Sequence, residues 1–419
     1  MIRLLHFADA HIDMAAGQGR HDPLTGLPVR VLDFLHALDS IIDTAISEKV
    51  DLVIFAGDAY KDRNPSPTYQ REWGRRLIRL AQAQIPALLV VGNHDLSPAA
   101  GRANTLHEFD TRQVPFIHVI SKPEFLGPDD LWSLPIQVIG LPWVTRSGFL
   151  AARGAGVLDS EKVNTELETL IEQLVGDWIA GADPELPLLL TAHASVQNAV
   201  FGNERSVMLG SDLILPGGMV RDSRLDYVAL GHIHHAQDVN QGKHPPVIYP
   251  GSIEKVDFGE AQDKKYFVIA EVEKGKTNCE FRELPGRKFY DRYLRIDMGD
   301  NMPAADAFRG SLKAALPSAE EMKDAIVRLV LEYPRSWEGL IDEPELREYA
   351  SESLEFHFIR RPQVEARIRL SGSDTIANLP HNELVVEYLK MIKTPDDDVA
   401  RLKPLIEEVI RRSRTEEEN

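Results

Sequence analysis

Ala87-Leu88-Leu89-Val90-Val91 runs directly into Gly92-Asn93-His94-Asp95. The first five residues are continuously apolar, the pattern of a strand buried on both faces. A glycine ends the run, and an amide, an imidazole and a carboxylate follow without a gap. A hydrophobic core has no use for those three groups together, so the stretch reads as a strand delivering chemistry to a loop. One such match carries little weight. Its weight comes from four other stretches built the same way.

The first is Ile2-Arg3-Leu4-Leu5-His6-Phe7-Ala8, leading into Asp9-Ala10-His11. Asp9 and His11 stand two apart, so an extended backbone projects both to one side. Residues 31–49 then read as a helix, with Val31, Leu35, Leu38, Ile42 and Ile46 at helical spacing. The second stretch, Asp51-Leu52-Val53-Ile54-Phe55-Ala56, ends in Gly57-Asp58. A helix between apolar strands is the βαβ pattern of a largely parallel, buried sheet, whose ligands sit off the carboxyl ends of its strands. Asp9, His11 and Asp58 all fall there.

Residues 59–67 are a loop by their prolines, and the helix that follows carries Arg71, Arg75 and Arg79 on one face. That face could track a phosphate backbone or could be solvated. Residues 99–111 read as helical, and residues 161–181 as a helix with Val163, Leu167, Leu170, Leu174 and Trp178 on one stripe, Trp178 in the core. The remaining two stretches are Leu188-Leu189-Leu190-Thr191-Ala192-His193 and Tyr227-Val228-Ala229-Leu230-Gly231-His232-Ile233-His234-His235. Three imidazoles after an apolar strand are costly without a partner, so the histidine cluster reads as functional.

Tyr249-Pro250-Gly251-Ser252 is a turn, and Tyr266–Val272 a strand whose alternation with nearby Phe281 suggests an antiparallel end to the sheet. Composition changes at Pro285-Gly286-Arg287-Lys288, and Ser371-Gly372-Ser373 reads as a short linker. Three segments follow: a main domain over 1–284, a smaller α+β domain over 285–372 without a ligand cluster, and a helical segment over 373–419. The last carries two apolar stripes, one through Leu384, Val385, Tyr388, Leu389 and Ile392. The other, through Leu402, Leu405, Ile406, Val409 and Ile410, is interrupted by Pro404.

The 419 residues, 43% hydrophobic and 27% charged, describe an ordinary soluble chain with room for two or three domains. No apolar run reaches the roughly 18 residues of a membrane span, and the opening residues, without a basic region and an apolar stretch behind it, read as a strand rather than a signal peptide. The single cysteine, Cys279, excludes an internal disulfide and a cysteine metal cage, and fits a reducing, cytoplasmic setting. A net charge of −18 argues mildly against nucleic acid. It does not exclude it, because a carboxylate site that holds divalent cations is positive where a phosphate lands.

Five apolar runs thus end in Asp, His or Asn, three of them through a glycine. The donor set has carboxylates, imidazoles and one amide but no thiolate, which suits manganese, iron or zinc. Seven ligands are too many for one metal and about right for two that share a bridge. Two metals can activate a water, clamp a phosphoryl oxygen and stabilise a leaving oxygen, which is what phosphate-ester hydrolysis needs.

Asp9-X-His11, Gly57-Asp58, Gly92-Asn93-His94-Asp95, Ala192-His193 and Gly231-His232-X-His234 resemble the signature of the calcineurin-like metallophosphoesterases. Pro65-Ser66-Pro67, Tyr249-Pro250-Gly251-Ser252 and Phe258-Gly259-Glu260 look like the SbcD-type DNA exonuclease subunit of double-strand-break repair complexes. The resemblance implies an α/β fold: a β-sandwich flanked by helices, with an α+β capping domain and C-terminal helices. It implies that Asp9, His11, Asp58 and His234 hold one metal, and Asp58, Asn93, His193 and His232 the other, with Asp58 bridging. His94 would face the scissile phosphate. The metal would be manganese, the substrate DNA and the assembly a homodimer. The partner would be an SMC-like coiled-coil ATPase of the SbcC type, bound through the C-terminal helices, with no membrane involved. Several members of the family carry a histidine where this chain has Lys61. Two other readings keep the fold: a phosphoesterase for nucleotides or phosphoproteins, and a scaffold without activity.

Overall fold

The computed structural model describes residues 1–17, 19–96, 103–145, 160–202, 214–297 and 302–363, with scattered positions from 383 to 406. The side chains of 160–164 are outside this set. Two compact units are present. One comprises Met1–Leu294, Asp306–Val330 and Asp342–Ile359; the other comprises Arg295–Ala305, Leu331–Ile341 and Arg360–Asn419.

The first unit opens with β1 (Ile2–Phe7), α1 (Val29–Ser47), β2 (Leu52–Phe55), α2 (Pro67–Gln82), β3 (Ala87–Val90), α3 (His107–Thr111) and β4 (Ile117–Ile120). Then come β5 (Glu124–Leu126), β6 (Gln137–Leu141), α4 (Ser160–Gly181), β7 (Leu188–His193), β8 (Ser195–Val196) and β9 (Ile214–Leu215). After α5 (Gly217–Val220) follow β10 (Tyr227–Gly231), β11 (Gln237–Asp238), β12 (Val247–Tyr249), β13 (Lys265–Glu273) and β14 (Lys276–Leu284). Two six-stranded sheets result, ordered β14-β13-β1-β2-β3-β4 and β11-β12-β10-β7-β6-β5. β1, β2, β3 and β4 pair in parallel, as do β6, β7, β10 and β12. β13 pairs antiparallel with both β1 and β14, the antiparallel end expected from the sequence.

Alternation along each strand sorts side chains into three cores. Leu4, Leu52, Ile54, Leu88 and Val90 of the first sheet share a buried cluster with Val138, Leu189, Tyr227 and Ala229 of the second. Leu5, Phe7, Val53, Phe55 and Leu89 point the other way and pack on α1 and α2, through Val31, Leu35, Trp73 and Leu77. Leu188, Leu190, Val228 and Leu230 pack with Leu167, Ile171, Val175 and Ile179 of α4. This is a β-sandwich flanked by helices, as the resemblance implied. His6 is buried in the sandwich, its Nδ1 3.0 Å from the Tyr227 hydroxyl. Burial pushes its imidazole down to about 3, so it stays neutral there.

Several local expectations need correction. The buried stripe of α4 is Leu167-Ile171-Val175-Ile179; Leu170 is exposed, and Trp178 only packs against the edge of the cluster. A continuous helix over 99–111 is not formed. Only His107–Thr111 is helical, and 99–102 lie outside the described residues. The cause is a tether: Thr105 bonds back to Asp95 through its backbone N–H to the carbonyl oxygen (3.1 Å) and its hydroxyl to the carboxylate (2.9 Å). The arginine face of α2 is engaged with acids. Arg71 and Arg75 pair with Glu72, and Arg79 pairs with Asp39 and Asp43 of α1.

The chain continues through β15 (Phe289–Arg295), α6 (Ala305–Ala315), α7 (Ala319–Met322), β16 (Ile326–Pro334), α8 (Glu343–Tyr349) and β17 (Glu355–Gln363). A three-stranded sheet has the order β15-β16-β17. The linker at 371–373 lies outside the described residues, as do Leu384, Tyr388, Ile392, Val409 and Ile410 of the C-terminal stripes. Residues 398–406 are helical straight through Pro404, so that proline forgoes a backbone bond without interrupting the helix. Among the described residues, no helix is long and apolar enough to cross a membrane.

Candidate metal centre

All five strand ends point to one place. Asp9 and His11 lie beyond β1, Asp58 beyond β2, and Asn93 and His94 beyond β3. His193 ends β7, and His232 and His234 follow β10. The extended backbone expected at Asp9 and His11 is not what brings them together. Asp9, His11, Asp58 and His232 have φ of 50°, 37°, 64° and 98°, a region that side-chain-bearing residues seldom occupy. Such conformations cost of order 1–3 kcal/mol each and persist only where the surroundings enforce them. Here the enforcement is visible. The Asp9 and His11 N–H groups donate to the carbonyls of Gly57 (2.9 Å) and Asp58 (3.1 Å), and the His232 N–H donates to the Asp9 carboxylate at 3.0 Å.

Two glycines admit this crowding. A Cβ on Gly57, whose φ is +101°, would stand 2.2 Å from His193 Nδ1. A Cβ on Gly92 would stand 2.1 Å from Asp58 Oδ1.

Two donor groups form, Asp9-His11-His234 and Asp58-His193-His232, each with its ligand atoms within 4.8 Å of one another. Asp58 lies between them: its Oδ2 is 3.3 Å from His193 Nε2 and 3.7 Å from His11 Nε2. The Asn93 side-chain oxygen meets His193 Nε2 at 2.9 Å and His232 Nδ1 at 3.1 Å. All seven expected ligands therefore converge. His94 stands beside them, its ring edge-on to His11 at 5.0 Å, its backbone N–H donating to Asp58 Oδ1 at 2.9 Å and its ring Nδ1 on the Lys61 carbonyl.

The outer hydrogen bonds fix which nitrogen is free. A carbonyl or carboxylate oxygen only accepts, so each Nδ1 facing one carries the proton. His11 Nδ1 donates to the Tyr60 carbonyl (3.1 Å), His193 Nδ1 to that of Ala56 (2.6 Å) and His234 Nδ1 to Glu260 (2.7 Å). Each Nε2 therefore turns a lone pair inward. His11 and His234 set theirs 3.2 Å apart, and His193 faces two oxygens. Lone pairs aimed at one another require a cation or a proton between them, so the donor set fits bound divalent metal.

The ionisation pattern agrees. Burial, with the charges of His234 and His94 beside it, pushes His11 down to about 3, and burial with the charge of Asp58 pushes Asp9 up to about 6. Burial also lowers His193 and His234, but the charge of Asp58 on the first and the Glu260 bond on the second prevail, leaving them at about 9 and about 8. Burial opposes the charge on Asp58, but the histidines around it hold its carboxyl well below the usual range. Protons thus occupy the place a cation takes, and a metal would displace them. Adding a divalent cation at about 100 times its dissociation constant should stabilise the fold by roughly 2.7 kcal/mol per site. The readout is a higher melting temperature that chelator reverses.

Four supporting residues have no assigned role in the sequence reading. Asp95, fully buried, accepts from the backbone of Gly92, Asp58 and Ala59 and from Thr105. Glu260 holds His234 and is itself held by Lys265 Nζ at 2.8 Å, a side chain only 1% exposed. Trp143 packs against the His232 ring, 4.8 Å between centroids and tilted by 47°. Asp95 and Glu260 do stand inside quoted motifs, but Lys265 and Trp143 left no local signal. Glu260→Gln removes the charge shared by His234 and Lys265. It should weaken cation binding about 10- to 100-fold by calorimetric titration.

A double sheet between helices, with carboxylates and imidazoles gathered at its strand ends, defines a class: enzymes that hydrolyse phosphate esters with divalent metals. The family model of the calcineurin-like phosphoesterases matches residues 2–236, more than half of the chain, and the protein belongs to that family. It is similar to the SbcD component of the SbcCD nuclease of Escherichia coli K12, 26% identical over 282 residues, covering 66% of each chain. It is similar to the DNA double-strand break repair protein Mre11 of Methanosarcina acetivorans, 22% identical over 427 residues, covering 100% of this chain and 59% of that one. The metallophosphoesterase YhaO of Bacillus subtilis is 24% identical over 304 residues, 72% of this chain and 65% of that one. The chain thus spans about two thirds or less of the length of these relatives.

Proposed function

We propose that the protein is a DNA nuclease that hydrolyses phosphodiesters with two manganese ions. Asp9, His11, Asp58 and His234 hold one, and Asp58, Asn93, His193 and His232 the other. The observation that carries this reading is the meeting of seven donors from five strand ends, with Asp58 between the two groups. The chemistry that divalent cations would supply there is polarisation of a phosphoryl oxygen and activation of a water. His94 anchors its Nδ1–H on the Lys61 carbonyl and keeps Nε2 for the phosphate; as an imidazolium, with a second proton on Nε2, it stabilises the transition state or passes that proton to the leaving oxygen. The substrate rests on the relatives, which are named for a nuclease and for double-strand break repair. With that substrate go a homodimer, an SMC-like ATPase bound by the segment after residue 373, a capping role for 285–372 beside the 1–284 nuclease domain, and a cytoplasmic setting.

A second reading keeps the site and replaces DNA with nucleotides or phosphoproteins. It is favoured by the net charge of −18 and by the engagement of Arg71, Arg75 and Arg79 with acids. Cutting of linear double- and single-stranded DNA with manganese, magnesium or chelator separates the two. Manganese-dependent cutting that drops about 10²- to 10⁴-fold in His94→Ala supports the nuclease with His94 in its assigned role. Turnover of bis-nitrophenyl phosphate and nucleotides without any cutting supports the second reading.

A further inference from the structure

Lys265 opens β13, and its side chain is buried. An ammonium group has three N–H donors, and here each has an acceptor. Nζ donates to Glu260 Oε2 at 2.8 Å, to Ser252 Oγ at 2.7 Å and to the His234 carbonyl at 3.3 Å. A charge buried this deeply gives up its hydration, and a buried ion pair is weak evidence for stability by itself. What this pair does is fix the atoms around it.

Those atoms belong to His234. Glu260 carries the hold to the ring. Its Oε1 accepts from His234 Nδ1 at 2.7 Å, while Oε2 takes Lys265 and the Val256 N–H at 2.9 Å. Nζ also reaches the His234 backbone directly, and the Ser252 N–H donates to the same carbonyl at 3.3 Å. Gly251 makes room for this approach, since a Cβ at its φ of +81° would stand 2.5 Å from that carbonyl oxygen. Ser252 is itself set, its Oγ donating to the Glu254 carbonyl at 3.1 Å. The Tyr249-Pro250-Gly251-Ser252 and Phe258-Gly259-Glu260 motifs thus meet at one ammonium group.

The two ends of this contact come from different sheets. His234 follows β10 of the second sheet, whereas β13 belongs to the first. There β13 pairs with β1 through Val268 and His6 and through Ile269 and Leu5, and β1 leads straight to Asp9 and His11. Lys265 is therefore a strut across the sandwich, from the sheet that carries Asp9 and His11 to the ligand that the other sheet supplies. The spacing it governs is that between the Nε2 atoms of His11 and His234, 3.2 Å. The other donor group has its own braces, the Ala56 carbonyl on His193 and the Asn93 oxygen between His193 and His232.

We propose that Lys265 is a positioning residue for one of the two cations. Acting through Glu260 and the His234 carbonyl, it sets the spacing of the Asp9-His11-His234 group and leaves the Asp58-His193-His232 group to its own braces. The proposal rests on the two-cation reading of the centre.

The test is uptake of Co²⁺ by the full-length, metal-free protein, followed by calorimetry and by visible absorption, which reports ligand geometry. The parent protein should take up two equivalents. In Lys265→Met one of them should bind about 10- to 100-fold more weakly, with altered absorption. It should be the equivalent that His234→Ala loses, and the other should keep its affinity. A general loss of stability weakens both alike, so the selectivity separates positioning from folding. If Lys265→Met does not fold, Ser252→Ala decides. It keeps both charges, removes one acceptor of Nζ and should weaken the same equivalent several-fold. Variants that weaken both equivalents alike, or neither, overturn the role of Lys265 and leave the two cations standing. Uptake of a single equivalent by the parent protein overturns the two-cation reading and the proposal with it.

Discussion

Asp58→Asn should lower hydrolysis of both bis-nitrophenyl phosphate and linear DNA by at least about 10³-fold, more than loss of a single oxyanion donor costs. The carboxylate is nearly fully buried, and its two oxygens serve different neighbours. Oδ1 accepts the His94 N–H, while Oδ2 lies between His193 and His11. Asparagine keeps the shape and tolerates the left-handed backbone at φ 64°, so the substitution removes charge rather than geometry. Calorimetric titration should show cation binding weakened at both sites, since each loses the same carboxylate. A variant that hydrolyses at the unmodified rate would remove Asp58 from the mechanism.

The largest loss of stability belongs to a residue outside the ligand set. Asp95→Ala should destabilise the fold by roughly 4 kcal/mol or more. It strips acceptors from the N–H groups of Gly92 and Asp58 (both 3.0 Å), the N–H of Ala59 (3.2 Å) and the Thr105 hydroxyl (2.9 Å). A buried donor left unsatisfied costs about 1–3 kcal/mol, and whole domains are stable by only about 5–15 kcal/mol. The melting temperature should fall by on the order of 10 °C. Asp95→Asn retains one accepting oxygen and should fall less. Because the lost bonds hold the loops that carry Asp58 and Asn93, cation binding should weaken as well. A melting temperature within about 2 °C of the parent protein, a shift under about 1 kcal/mol, would show that other groups or water replace Asp95.

What could be read from the sequence is what local chemistry encodes. An apolar run followed, in three of five cases through a glycine, by Asp, Asn or His is written in adjacent residues, so the eight side chains that the fold gathers at its strand ends were legible without a structure. The same holds for α1, whose stripe has one consistent face. The sequence alone therefore determined a parallel α/β core with a metal-binding edge.

What only the tertiary structure decided depends on partners distant in the chain. Residues 160–181 carry apolar side chains in two overlapping stripes, and only the sheet beneath selects Ile171, Val175 and Ile179 over Leu170 and Leu174. Asp95 has the same composition signal as a surface acid until Asp58, 37 residues away, brings it a backbone N–H. Lys265 reads as an ordinary strand-end lysine until Glu260 and Ser252 close around it. Helical or extended backbone at Asp9 and His11 would look identical in sequence. Their left-handed conformation arises because loops from the ends of β1 and β2 must share hydrogen bonds in one crowded place. Residue type decides which atoms can bind a cation. Only the packing of two sheets against each other decides which lone pairs face one another, and that geometry calls for a proton or a cation between them.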